Sequence, residues 1–116
     1  MSRTAKPRVW RGRSYVYLLF CEELAGFIHV KIGKTNHPEQ RLSAYKTHCP
    51  LALQSFYVCE LPSEAVAFEK EIEMLRRISY MQCRGEWRVL NCGRQVEELF
   101  AAATDILVEP LVRMRV

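Results

Sequence analysis

Two stretches near the start of the chain have the side-chain pattern of β-strands. Residues 14–20 (SYVYLLF) are rich in aromatic and aliphatic side chains on both faces, which favours a central strand of a sheet. In residues 27–32 (FIHVKI), isoleucine and valine alternate with histidine and lysine, which predicts a strand with one buried face. The polar connection between them, residues 21–26, ends in glycine, so we expect an antiparallel hairpin.

After this hairpin the pattern alternates between helix and strand. Gly33 permits a tight exit from the second strand, and Pro38 suits the first position of a helix over residues 38–46. The other predicted segments outside the longest helix are a third strand, a short extended piece and a last helix, at residues 53–60, 86–90 and 95–106.

The longest predicted helix covers residues 64–79 and follows Ser63, a residue suited to the N-cap. Its apolar residues recur at helical spacing and predict a core-facing stripe made of Ala65, Phe68, Ile72 and Leu75. The order of elements predicts an α/β fold with a small three-stranded, mostly antiparallel sheet flanked by helices. We expect one domain at residues 14–108, between a basic N-terminal arm at residues 1–13 and a C-terminal tail at residues 109–116.

Composition is consistent with one globular domain. The chain has 116 residues, of which 49% are hydrophobic, and it contains no apolar run near the roughly 18–20 residues needed to span a membrane. We see no secretory signal. The five cysteines never form a CxxC pair, which favours reduced thiols over zinc ligands and predicts a cytoplasmic protein without membrane association.

Charge is unevenly distributed along the chain. The net charge is +4, and the first 13 residues contain five basic residues and no acidic one. Arg8, Arg11 and Arg13 in this arm could neutralise phosphates and make nucleic-acid binding salt-dependent. A solvated basic tail is the alternative, and the arm by itself does not distinguish the two.

The richest candidate chemistry lies in KIGKTNHPEQR, residues 31–41. Arg41 and Tyr45 are four residues apart, so they share one face of the predicted helix. Arg41 offers a permanent planar cation that can hold two phosphate oxygens, and Lys31 and Lys34 add point charges nearby. These residues together indicate a site for a phosphodiester.

One carboxylate and two tyrosines complete the predicted site. Glu69 on the longest helix would supply a hard oxygen ligand, and one carboxylate with waters and a substrate phosphate suits Mg²⁺. Tyr17 or Tyr45 would orient or deprotonate the attacking water. Trp87 is expected to pack on the core beside the last helix, with base stacking as the alternative. Ordinary core or surface roles for the tyrosines and Arg41 remain the alternative to this assignment.

The motif YVY, then KIGKT with an arginine six residues after the threonine, then AFEKEIEMLRRI and RGEWRVL, resembles the GIY-YIG nuclease superfamily. In particular it resembles the phage-associated branch that carries KIG in place of YIG. The resemblance covers residues 14–90. It implies a three-stranded sheet with flanking helices, and cutting of nucleic acid with one bound magnesium or manganese ion.

The resemblance also implies roles for individual residues. Tyr17 corresponds to the first-motif tyrosine, Arg41 to the catalytic arginine and Glu69 to the metal-binding glutamate. Tyr45 corresponds to a position one helical turn after the arginine, and Lys34 to a basic residue after the second motif. Lys31 occupies the position of the second-motif tyrosine, and the later active-site asparagine of the family has no clear match.

These features predict a small metal-dependent endonuclease, using Mg²⁺ or Mn²⁺ and acting on DNA in preference to RNA. The substitution at Lys31 favours an alternative in which the same scaffold has impaired cleavage. That protein would be a phage-encoded module that binds nucleic acid or inhibits a host protein. A homodimer is left open, because relatives of this size select a sequence through a further domain or an oligomer.

Overall fold

Six strands form one antiparallel sheet in the computed structural model, which describes residues 13–116. The strands are β1 (Ser14–Leu24), β2 (Phe27–Thr35), β3 (Leu53–Leu61), β4 (Gln82–Arg84), β5 (Trp87–Asn91) and β6 (Val112–Met114). Their order across the sheet is β4-β5-β2-β1-β3-β6. The helices are α1 (Pro38–His48), α2 (Glu64–Arg77) and α3 (Arg94–Leu107). Within the described residues, no helix is both long enough and apolar enough to cross a bilayer.

The predicted α/β class is confirmed, but the prediction of three strands is wrong, because the sheet has six. The outermost strands, β4 and β6, contain three residues each, and none of their side chains is buried. Such strands carry no alternation of buried and exposed residues. They form because β5 and β3 offer backbone hydrogen-bonding groups at their edges. Residues 112–114 of the expected C-terminal tail therefore belong to the sheet.

The sheet separates two groups of packed side chains. On one face, Val16, Leu18 and Phe20 of β1 pack in the larger core together with residues of α2 and α3. On the other face, Tyr15, Tyr17 and Leu19 of β1 pack around Leu42 of α1 and residues of β3. Since β1 is buried on both faces along Ser14–Cys21, the prediction of a central strand is correct.

Helix α2 packs with a different stripe from the one that its sequence predicted. Ala67 and Met74 are fully buried, whereas Phe68 is 52% exposed and Ala65 is also exposed. The prediction that Ala65 and Phe68 face the core is therefore wrong. The helix is therefore rotated about its axis so that Ala67 and Met74 face the larger core.

Candidate functional site

A cleft opens at the edge of the sheet where β5 stops pairing with β2. The pairing of β2 with β5 covers Phe27 to Val30, whereas its pairing with β1 continues to Thr35. The cleft beside this open segment has a volume of about 420 Å³. Its charged and aromatic lining residues are Lys31, Lys34, Arg41, Glu71, Glu86, Tyr17, Tyr45 and Trp87. We call this site the edge cleft.

The edge cleft brings together five of the six residues predicted for the catalytic site and its immediate surroundings. Tyr17 comes from β1, Lys31 and Lys34 from β2, and Arg41 and Tyr45 from α1. The last two share a face of α1, as their four-residue spacing predicts. The sixth residue, Glu69, is not among the lining residues.

Two tyrosines from different elements meet inside the cleft. The hydroxyl oxygens of Tyr17 and Tyr45 lie 2.8 Å apart, at hydrogen-bonding distance, and the ring centroids lie 6.0 Å apart. Burial, followed by the hydrogen bond with Tyr45, raises the pKa of Tyr17, although the nearby Arg41 guanidinium acts to lower it. Tyr17 is therefore protonated at neutral pH in this environment. This favours orientation of a water over its deprotonation by Tyr17.

Gly33 makes the position of the Tyr17 ring sterically feasible. The two residues lie directly opposite each other on β2 and β1. A Cβ atom at position 33 would lie 2.5 Å from both Cζ and Oη of Tyr17. Gly33 lies within β2, which continues to Thr35, so the expected tight exit at Gly33 is wrong. The glycine is required because the aromatic ring lies against its backbone.

The three basic residues of the cleft differ in their partners. Lys31 donates to Glu86 in a close ion pair, and Lys34 lies 3.3 Å from Glu64. Within residues 13–116, Arg41 forms no ion pair with a carboxylate. The Arg41 side chain is also exposed, so its guanidinium is accessible to an anionic ligand.

Glu71 is the carboxylate that α2 contributes to the cleft. It lies four residues after Ala67 and three before Met74, so it belongs to the buried stripe, and its side chain is only partly exposed. Burial raises the pKa of Glu71, while Lys34 and Lys31 act in the opposite direction. Glu69 is exposed on another face of α2. Helical spacing in the sequence does not identify Glu71, because it is the same for the stripe with Ala67 and Met74 as for the predicted stripe.

The predicted arm residues lie away from this site or outside the described part of the chain. Arg8 and Arg11 precede residue 13 and are outside the described residues. Arg13 is exposed, lies 3.7 Å from Glu60 and lines a separate surface cavity with Glu109 and Val112. It is not one of the residues that line the edge cleft.

Trp87 lines the cleft and packs on the face of the sheet that carries α1. Its contacts are with the cluster that contains Tyr17 and Leu42, and its ring centroid lies 6.4 Å from that of His29 in an edge-to-face arrangement. The expectation that Trp87 packs beside the last helix is therefore wrong, because α3 packs in the core on the opposite face. The identity of Trp as an aromatic residue did not indicate the face on which it would lie.

A divalent metal would have few protein ligands in this part of the chain. No group of three or more histidine, cysteine, aspartate or glutamate side chains within residues 13–116 could hold a metal ion. Within residues 13–116, Glu71 is the carboxylate of the cleft that forms no ion pair, since Glu86 is paired with Lys31. One carboxylate is compatible with Mg²⁺, which usually keeps several waters and binds substrate phosphate.

Comparison with known protein families gives one match. The family model described as the T5orf172 domain matches residues 14–114, which includes all six strands and all three helices. No curated protein and no solved structure matches the chain.

Proposed function

Because this chain belongs to the T5orf172 domain family, a phage-associated family of the GIY-YIG-like nuclease type, we propose that it is a small metal-dependent endonuclease. The substrate that we propose is DNA. The observation that carries the proposal is the edge cleft, in which an accessible arginine, two hydrogen-bonded tyrosines and one part-buried carboxylate face the same space.

The charge of the cleft suits a phosphodiester. Three basic and two acidic residues line it, and the ion pair between Lys31 and Glu86 removes one charge of each sign. Arg41 can place two parallel N–H donors on two phosphate oxygens, which positions the phosphorus and stabilises the charge that develops during attack. Lys34 also lines the cleft, but its ion pair with Glu64 at 3.3 Å compensates its charge. Arg41 is therefore the cation of the cleft that has no ion pair within residues 13–116.

Glu71 is the residue that we propose as metal ligand, in place of Glu69. Its carboxylate lies in the cleft and is partly withdrawn from water, whereas Glu69 is exposed outside it. A bound Mg²⁺ or Mn²⁺ would supply Lewis-acid stabilisation of the scissile phosphate and of the leaving oxygen. Waters and the substrate phosphate would complete its coordination.

The paired tyrosines would hold the attacking water. Tyr45 is more exposed than Tyr17, and the hydrogen bond between them fixes both hydroxyl groups. A phenol that keeps its proton can donate to or accept from a water without being its base. The proton of the water would then leave to solvent or to a substrate oxygen.

The test compares two glutamates of one helix. Purified wild type, Glu71→Gln and Glu69→Gln are incubated with supercoiled plasmid and Mg²⁺ or Mn²⁺, and nicked product is measured over time. We expect nicking by wild type and Glu69→Gln, and a loss of at least about 100-fold in Glu71→Gln, because charge stabilisation in the reaction is lost.

The control variant Glu69→Gln removes the same charge from the same helix, outside the cleft. The proposal fails if wild type does not nick with either metal. The assignment of Glu71 fails if Glu69→Gln is inactive while Glu71→Gln keeps full activity.

A specific observation favours a second candidate, a binding module with impaired cleavage. Lys31 occupies the position where the GIY-YIG resemblance has tyrosine, and its ammonium group is held by Glu86. The hydrogen bond from Lys31 lowers the pKa of Glu86, which keeps that carboxylate charged. Lys31 therefore acts in a structural ion pair. Salt-sensitive nucleic-acid binding that is independent of metal and unchanged in Glu71→Gln, without nicking, would support this candidate.

A further inference from the structure

The proposed reaction does not use the β4–β5 half of the sheet face that carries α1. Arg84 on β4 lies directly opposite Trp87 on β5, so their side chains stand on the same face. His29 is directly opposite Val89, two residues from Trp87, so His29 also lies on this face. Helix α1 packs against β3, which is separated from β5 by two strands. In the β4–β5 half, Arg84 is exposed and Trp87 is partly exposed, whereas Val89 is buried.

The charge of Arg84 is uncompensated at this place. Its side chain is exposed, and it has no ion pair in the part of the chain that the structure describes. The neighbouring Glu86 is paired with Lys31. Adjacent strands lie about 4.8 Å apart, so β4 is roughly 10 Å from β2 across the sheet. An anion bound by Arg84 would therefore differ from the one that Arg41 contacts in the cleft.

We propose that Trp87 and Arg84 form a subsite for an unpaired nucleotide next to the phosphate in the edge cleft. Trp87 stacks on the base, and Arg84 binds a neighbouring phosphate of the same strand. The base must be unpaired, because a base within a duplex presents its faces to its stacked neighbours and not to an indole. This inference rests on the proposed function and deepens it: the substrate is single-stranded at this side of the cut, as in a branch, a flap or a melted duplex.

The cleft supports a stacking role for Trp87 in addition to its packing role. The indole lines the cleft together with Tyr17 and Tyr45, and it also packs against the cluster that contains Tyr17 and Leu42. Val30 of β2 lies opposite Arg88 of β5, so Trp87 follows beside Lys31, and Arg84 of β4 lies opposite Trp87 on its other side. A nucleotide that leaves the cleft in this direction meets an aromatic surface first and a cation next. This arrangement is the usual one in proteins that bind single strands.

The experiment distinguishes the contribution of the base to binding affinity from that of the sugar-phosphate backbone. Binding is measured by anisotropy without metal, in the Glu71→Gln background, with an oligothymidine and with a fully abasic oligomer of the same length. We expect Trp87→Leu to weaken oligothymidine binding by roughly 5- to 100-fold, as for the loss of one stacked base. Its binding to the abasic oligomer should be unchanged.

Substitution of Arg84 is expected to give a different result from substitution of Trp87. Arg84→Gln should weaken binding of both oligomers and reduce the salt dependence by the release of about one counterion, a slope change of about 0.7 for a single strand. Arg76→Gln removes an exposed arginine of α2 outside the cleft and serves as control, with no expected change. In a Trp10→Phe variant, where Trp87 is the sole tryptophan, oligothymidine should quench the fluorescence and a blunt duplex should not.

The outcomes distinguish the subsite from the proposed function. If the Glu71→Gln parent binds neither oligomer, the subsite is overturned, whereas the proposed endonuclease function is decided separately by plasmid nicking. If the parent binds, but Trp87→Leu weakens binding of the two oligomers equally, Trp87 has a packing role only and the subsite is overturned. Trp87→Phe keeps an aromatic ring, so it should retain most of the affinity if the leucine variant unfolds. A loss in Trp87→Phe that is equal for both oligomers also overturns the subsite.

Discussion

At the scale of single residues, Gly33 and Tyr17 act as one structural unit. The phenol ring occupies the space where a side chain at position 33 would begin. The ring is buried and packs on Phe56, with centroids 5.3 Å apart, so it has little room to move. Sequence reasoning found both residues through the motif, but it attributed the glycine to backbone freedom.

We predict that Gly33→Ala destabilises the protein by about 1–3 kcal/mol, as expected for overpacking. Urea unfolding measures this effect. The same substitution in a Tyr17→Ala background should cost much less, because the clash has then been removed. Equal losses in the two backgrounds would show that the Tyr17 ring is not the cause.

A second residue-scale prediction concerns the stability of the Glu71 variant. Since burial raises the pKa of Glu71, its protonated form is favoured more in the folded than in the unfolded state. The corresponding stabilisation is complete below the unfolded pKa of about 4.3. It is lost as the pH rises through the higher folded pKa. Glu71→Gln should therefore exceed wild type in stability at neutral pH, with a difference that decreases as the pH is lowered.

Chemical denaturation at several pH values between about 4 and 8 measures this difference. Glu69→Gln provides the matched control, since it removes one charge from the exposed surface of the same helix. A Glu71→Gln variant that is less stable than wild type at neutral pH would contradict the prediction.

At the scale of elements, α2 shows what a periodic pattern leaves undetermined. Its position along the chain and its cap at Ser63 agree with the prediction, and the Ser63 side chain accepts a hydrogen bond from Val66 N–H at 3.2 Å. The rotation of α2 about its own axis differs from the predicted one. Two partly apolar stripes share this helix, and helical periodicity is the same for both. The sheet selects the stripe with Ala67 and Met74, and this selection brings Glu71 into the cleft.

The rotation of α2 gives a prediction with two substitutions. Met74→Ala removes a fully buried side chain and should destabilise the protein by about 2–5 kcal/mol. Phe68→Ala changes a side chain that is 52% exposed, and it should cost less than about 1 kcal/mol. Urea unfolding of both variants shows which substitution lowers the free energy of unfolding more. The reverse order would mean that the predicted stripe, and with it Glu69, faces the sheet.

At the scale of the whole molecule, three of the 17 lysine and arginine residues line the edge cleft and five lie in the N-terminal arm. The cleft residues belong to the described part of the chain, whereas Arg8 and Arg11 lie outside it. The role of these two arginines in binding phosphate therefore stays a prediction. Arg13 is exposed beside Glu60. It therefore provides an internal comparison for the arm.

We predict that Arg8→Gln with Arg11→Gln weakens duplex DNA binding and lowers the slope of log affinity against log salt by about 2, near 0.9 for each lost phosphate contact. Arg13→Gln should change the slope much less, because its charge is already paired with Glu60. Anisotropy titrations over a range of salt concentrations test this. An unchanged slope in the double variant would identify the arm as a solvated basic tail.

The sequence by itself determined the local structure and the set of residue types at the site. The strands β1 to β3 and all three helices follow from alternation, helical spacing and capping residues, which are properties of neighbours along the chain. The motif around residues 31–41 gave Lys31, Lys34, Arg41 and Tyr45, because spacing on one strand and one helix fixes their faces.

The tertiary structure decided which carboxylate and which aromatic side chain join them. Glu71 and Trp87 reach the cleft because α2 packs through Ala67 and Met74 and because β5 pairs with β2 only as far as Val30. Helix rotation and strand register depend on packing between segments that are distant in sequence. No periodicity within a single segment contains that information, so only the folded arrangement shows that Glu71, and not Glu69, lines the cleft.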